Sequence, residues 1–199
     1  PNQYRGIFGE NAGAEPYLDE INRTIKSTTE GQIAGMIVES VQGYGGIIAM
    51  PKSYMSGAAE RVRAAGGLYI ADEVQAGFGR TGDNMWGFEA DDVIPDIIVM
   101  AKGMGNGFPI GAVVTHKKIA APMAEKFMFH TYGANPTSCA AARAVLDVLR
   151  QDKIQQNAKD VGEVLYHKLL DLKHRHRSIG DVRGRGLMLA IEMVKDHKT

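Results

Sequence analysis

The sequence predicts an α/β fold: a mostly parallel sheet flanked by helices, leading into a smaller C-terminal α+β unit. Three observations carry this reading. Short apolar runs at 33–38, 67–71, 97–101 and 111–115 are flanked by Gly, Pro or a lone charge, as buried strands are. Segments with helical spacing alternate with those runs, the pattern of a sheet covered on both faces. After Arg150 the pattern changes to one long helical segment and one strand-like run near residue 190. The expected division is a large domain over 1–152 and the start of a small domain over 153–199.

Taken in order, residues 1–15 are turn-rich and polar. Tyr17, Leu18, Ile21 and Ile25 recur at helical spacing behind Pro16, which predicts a helix over 16–28. The run 33–38 predicts a strand ending at Glu39. Gly43-Tyr44-Gly45-Gly46 then forms a turn in which glycine allows positive φ or close approach. A helix over 51–65 stops at Gly66-Gly67. The next strand runs into Asp72 and the glycine-punctuated loop Gly77 to Gly82. Trp86-Gly87-Phe88 reads as a packing cluster. Pro95-Asp96 turns into the strand that ends at Lys102, and Gly103, Gly105 and Gly107 follow. A strand over 111–115 and a short helix over 117–126 come next. A turn at 130–136, an Ala-rich helix over 137–150 and a second helix over 153–175 complete the helical part. The last strand covers 187–194.

The 199 residues are 44% hydrophobic and 23% charged, with 23 Lys and Arg against 23 Asp and Glu. That composition builds a core and leaves no electrostatic footprint for nucleic acid or a membrane surface. No apolar run is long enough to span a bilayer. A single cysteine, Cys139, excludes an internal disulfide framework; in an alanine-rich helix it reads as a small buried residue. The six histidines show no metal-ligand spacing. The chain begins at Pro1 and ends just after a strand-like run, and reads as part of something longer.

Two charges at strand ends carry the chemistry. Open α/β sheets bind ligands at the carboxyl edge of their strands, and Asp72 and Lys102 each close an apolar run there. An acid and an amine at such an edge match pyridoxal phosphate: the acid for the ring nitrogen, the amine for the aldehyde. A carboxylate against the protonated ring nitrogen favours both charged forms. Desolvation or a cationic neighbour would make the Lys102 amine nucleophilic. As plain structure, Asp72 caps a turn and Lys102 is one surface lysine among many. The glycines at 103, 105 and 107 also suggest a dinucleotide loop, though without the Gly-x-Gly-x-x-Gly spacing. On an extended strand Asp72 and Val74 share one face, Glu73 and Gln75 the other. Thr131, in a turn, offers a hydroxyl and an N–H to a phosphate or to the turn itself.

The string Asp72-Glu73-Val74-Gln75-x-Gly77-x-Gly79-Arg80-Thr81-Gly82, with Pro95-Asp96-Ile97 and Lys102-Gly103, resembles the signature of the class III aminotransferases that use pyridoxal phosphate. Glu39-x-x-Gln42-Gly43, Thr131-x-x-x-Asn135-Pro136 and Val182-Arg183-Gly184-Arg185-Gly186-Leu187-Met188 fit the same pattern. Within the family the chain is most similar to the mitochondrial alanine–glyoxylate branch. The resemblance implies a fold-type I large domain and transfer of an amino group from alanine or a related donor to glyoxylate or another 2-oxo acid. It implies that Lys102 joins the cofactor and moves the proton, Asp72 holds the pyridine nitrogen, Val74 packs on the ring and Gln75 lies near its phenolic oxygen. Thr131 would reach the phosphate of a partner subunit's cofactor in a homodimer, and Glu39 would face the substrate. Ω-amino acid transamination and phospho-amine lysis share these residues. A nucleotide-binding oxidoreductase and a catalytically silent fragment are the remaining readings. Ala134 departs from the family, which more often has glycine there.

Overall fold

The computed structural model describes residues 8–9 and 12–195. Most of the polar turns expected at the start, and residues 196–199, lie outside the described residues. Eight strands and five α-helices follow one another along the described chain. Helix α1 (Glu15–Thr28) leads into β1 (Gly35–Glu39), then the two-residue strands β2 (Val41–Gln42) and β3 (Ile48–Ala49). Helix α2 (Tyr54–Ala64) returns the chain to β4 (Leu68–Asp72), and a long loop reaches β5 (Ile97–Met100). Strand β6 (Ala112–Thr115), the one-turn helix α3 (Lys117–Ala120) and two long helices, α4 (Pro136–Gln151) and α5 (Ile154–Arg175), come next. A hairpin of β7 (Ile179–Arg185) and β8 (Met188–Met193) ends the fold.

The central sheet has the order β1-β4-β5-β6. The first two pairings are parallel and the last antiparallel, so the sheet is mixed, with its parallel part next to the site. The register places Glu39 opposite Asp72 and Asp72 opposite Val99, three residues before Lys102. Parallel strands end on one side, so three charged residues from distant sequence arrive at one edge.

Burial explains how this layer is held. Tyr69 and Ala71 of β4 point into a core with Val38, Met55, Ala58, Ala59, Leu18 and Phe88. Helix α1 crosses α2 at Gly57, where an added Cβ would lie 2.5 Å from Leu18 Cδ1. Asp96 ties β4 to α2: its carboxylate accepts from the Tyr69 N–H at 2.8 Å and from the Arg63 guanidinium at 3.1 Å. Parts of the sheet differ from the expectation of strands buried on both sides. Ile37 is 57% exposed, and Val113 and Val114 are also open. The helices that form the core with β1 and β4 lie on one face, so side chains alternate between buried and half-buried along β4.

Several finer expectations change. Residues 41–49 form a small hairpin around the glycine turn, and 179–185 form a full strand, neither of which the periodicity marked. The segment 117–126 divides into one α-turn and a 3-10 segment starting at Ala121, because Pro122 cannot donate in a continuing helix. Helix α5 carries its apolar residues at helical spacing, but Val161 and Val164 are exposed. Its covered side is marked by Ala158 and Gly162, where the hairpin turn approaches. No helix among the described residues is long and apolar enough to cross a membrane.

Candidate active site

The carboxyl edge of the parallel strands is where the sequence-marked residues gather. Strand β4 ends at Asp72, whose carboxylate accepts a hydrogen bond from the Val74 N–H at 3.0 Å. That bond turns the chain sharply, so the strict strand alternation expected over 72–75 stops at Asp72. Val74 and Gln75 consequently both line one cavity of about 790 Å³ with Lys102, although strand geometry put them on opposite faces. Phe78, Gly103 and Leu187 complete the part of that wall that concerns the site.

Lys102 follows β5 after a single extended residue and adopts φ +44°. A non-glycine residue in the left-handed region stores strain, and such residues cluster at sites where the surrounding fold dictates the conformation. The reversal starts a 3-10 turn, Lys102–Met104, and aims the chain back towards the antiparallel β6. A dinucleotide loop would instead open a long helix here. The lysine is exposed rather than enclosed by apolar walls, because the strand stops before it and the cavity is open to solvent at that point.

Glu39 closes β1 and accepts the Gly43 N–H at 2.9 Å, which folds the glycine turn back over the strand end. Gln75 lies across that turn: a Cβ on Gly43 would sit 2.2 Å from Gln75 Nε2. Glycine at 43 is therefore what lets Gln75 reach its place. Ile47, at φ +56°, closes the turn and lines the Lys102 cavity. Arg183 of β7 anchors the same turn from outside, donating to Gly46 O at 2.7 Å while pairing with Asp181 at 3.0 Å and Glu192 at 2.5 Å.

Thr131 lies elsewhere. It is exposed and lines a second cavity of about 650 Å³ with His130, Asn135 and Ser138. Asn135 accepts the Ser138 N–H at 2.9 Å and Pro136 occupies the first helical turn, so Asn-Pro here is the N-cap of α4. Ala134 has φ +53°, the conformation glycine adopts without a Cβ penalty, which explains why a glycine suits this position. Cys139 is exposed, against the expectation of a buried thiol. Ser138 and Ala142, four residues apart, form the covered stripe of α4, and Cys139 is rotated off it. Asp72 does not line either cavity, yet stands in register with Glu39 at the same edge.

One residue that the sequence reading passed over is prominent. Glu73 is fully buried and accepts from the Ser40 hydroxyl at 2.5 Å, the Gly87 N–H at 2.8 Å and the Phe88 N–H at 2.9 Å. Burial pushes its carboxyl above the ordinary range, with the three donors opposing the shift. Alternation along β4 marked its face as opposite to Asp72 but gave no sign that this face was the sealed one.

A family model for aminotransferase class III matches residues 3–199. The chain belongs to the class III aminotransferase family. Among its relatives is an alanine–glyoxylate aminotransferase 2 homologue of Arabidopsis thaliana, named as mitochondrial, 52% identical over 198 residues, covering 100% of this chain and 41% of the relative. The mitochondrial alanine–glyoxylate aminotransferase 2 of Homo sapiens is 45% identical over 183 residues, 92% of this chain and 36% of its own length. The chain thus spans about two-fifths of the relatives' length, 41% and 36%. In structure it is similar to an amine transaminase from an uncultivated Pseudomonas species in its PLP-bound form. That match has a TM-score of 0.90 and 36% identity, over 98% of this chain and 46% of the other. The mixed sheet with helices is the class III fold, as the sequence pattern predicted.

Proposed function

We propose that the full-length protein is a pyridoxal-phosphate-dependent transaminase that moves an amino group from alanine or a related donor to glyoxylate or another 2-oxo acid. The observation that carries the reading is the strand edge: Lys102 shares a cavity with Val74 and Gln75, and Asp72 and Glu39 stand in register at the neighbouring strand ends. An amine, a carboxylate, an aliphatic side chain and an amide are the donor set this cofactor calls for. When bound, pyridoxal phosphate supplies the electron sink for the substrate's carbanion.

The chain's own residues then divide the work. Lys102 Nζ would hold the cofactor through its aldehyde carbon, and would hold and move the proton at the substrate's α-carbon as general acid and base. Asp72 holds the protonated ring nitrogen, Val74 packs on the ring, and Gln75 lies near the phenolic oxygen. Glu39 faces the substrate. Thr131 serves the phosphate of the partner subunit's cofactor in a homodimer. The strongly exposed Phe127, Phe129 and Tyr132 around Thr131 support burial against a second subunit. The names of the relatives support a mitochondrial location. The separate two-stranded sheet of β7 and β8 supports a boundary near residue 152 between the large domain and the start of a small one.

The test is chemical. Full-length protein is incubated with pyridoxal phosphate, reduced with borohydride and mapped by mass spectrometry. The label is expected on Lys102 and lost in Lys102→Ala. A label on another lysine, with Lys102 unmodified, would sink the mechanism; no label would favour a silent or nucleotide-binding protein. Assay of alanine, ω-amino acids and phosphorylated amines with glyoxylate then separates the class III activities.

A further inference from the structure

Behind the strand edge lies a carboxylate that the proposed chemistry does not use. Glu73 directly follows Asp72 and is 0% exposed. Its side chain accepts from Ser40, Gly87 and Phe88, and all three donors are neutral. Burying a carboxylate without a cation costs far more than burying a neutral amide, whereas burying a leucine is favourable, so simple filling is a poor account of an acid here.

The three bonds have a common geometry. Ser40 is the residue after Glu39, so the Glu73 carboxylate ties the exit of β1 to the exit of β4. The Glu73 N–H donates to Val99 O at 2.9 Å, which adds the exit of β5. Its carbonyl accepts the Gly77 N–H at 3.1 Å and so closes the loop that presents Val74 and Gln75. On the far side, the bonded Gly87 and Phe88 follow Trp86, whose ring meets Phe78 edge-to-face at 5.0 Å. Phe78 in turn lines the Lys102 cavity together with Gly103, the neighbour of Lys102. A continuous set of contacts therefore runs from Glu73 to both sides of the Lys102 cavity.

We infer that Glu73 is a positioning residue, which fixes Asp72 and Val74 on the cofactor side of the strand exit by locking Ser40 and the Gly87–Phe88 turn on the other side. The inference rests on the functional reading above. Glu73→Gln keeps the shape but turns an NH₂ group towards a backbone N–H that needs an acceptor. Ser40→Ala removes one donor and leaves two.

The experiment uses full-length protein and pyridoxal phosphate, with Asp96→Ala as a control that weakens the amino end of β4, away from the site. Cofactor Kd, the visible circular dichroism of the bound cofactor and the unfolding temperature are measured for each. Glu73→Gln is expected to raise Kd by about tenfold and Ser40→Ala by about threefold, as loss of buried charge-assisted hydrogen bonds implies. The dichroic band, which reports ring orientation, falls in both. Asp96→Ala lowers the unfolding temperature and leaves Kd and the band unchanged. If Glu73→Gln and Ser40→Ala instead behave like Asp96→Ala, Glu73 supports the fold only and the inference is overturned. Should Glu73→Gln fail to fold, Ser40→Ala decides alone: a wild-type Kd and band overturn the inference, and a weakened pair supports it. Wild-type protein that binds no pyridoxal phosphate overturns the functional reading and this inference with it, a result distinct from normal wild-type binding with indifferent variants.

Discussion

Adjacent carboxylates at 72 and 73 meet different surroundings because β4 alternates its faces, and their chemistry diverges accordingly. Asp72 is half-buried and spends one bond on the Val74 N–H. Glu73 is sealed in, and desolvation raises its pKa above the ordinary 4.5. Between the unfolded and folded pKa values the folded protein keeps a proton that the unfolded chain has released. Stability from this group is therefore full below the unfolded value and is lost as pH rises through the folded one. Urea midpoints should show the stability difference, wild type minus Glu73→Gln, shrinking as pH rises above the ordinary 4.5; a difference that grows would contradict the assignment. The motif named Asp72, Val74, Gln75 and Lys102 through residue type and position. It could not reveal that Glu73 matters to their placement, because its donors come from Ser40 and from Gly87 and Phe88, 33, 14 and 15 residues away.

Elements were the most legible level, since hydrophobic spacing is local. Helices over 16–28, 51–65, 137–150 and 153–175 correspond to α1, α2, α4 and α5 within a few residues. What holds their ends was less visible. Helix α2 begins after Ser53, which sits at φ +69° and makes no side-chain cap. Its exposed amides are met by Asp91, whose carboxylate accepts from Ser53 at 2.5 Å, Met55 at 2.7 Å and Ser56 at 3.2 Å. A remote carboxylate at a helix N-terminus does the work of a local N-cap and also complements the helix dipole. Asp91→Ala should cost about 1–2 kcal/mol, the range for losing a cap, in chemical denaturation. An unchanged midpoint would mean that solvent satisfies those amides equally well. The β2–β3 hairpin escaped the sequence reading because two-residue strands have no period to detect.

At the scale of the whole molecule, glycines join the C-terminal hairpin and α5 to the loop after Asp72. Gly82 has φ +80°, and a Cβ there would lie 2.7 Å from the Lys159 Cα. Gly186 meets the Thr81 backbone in the same way, and Gly162 meets Gly186. Gly82→Ala should therefore destabilise by about 2 kcal/mol or more, through overpacking and positive φ together, seen as a lower urea midpoint. A smaller cost would show that α5 can move away from the loop. The open face of the sheet and the exposed apolar residues of α5 were read from sequence as covered. Periodicity reports that a face is apolar, not what lies against it. By itself the sequence determined the alternation of strands and helices, the strand-end charges and the family, because these depend on residue type and local spacing. Only the tertiary structure decided that Glu39 and Asp72 stand in register, that Val74 and Gln75 enter one cavity with Lys102, and that Glu73 ties three strand exits together. Each of those depends on parallel pairing and on a turn at Asp72, contacts between residues far apart in the chain that no local pattern encodes.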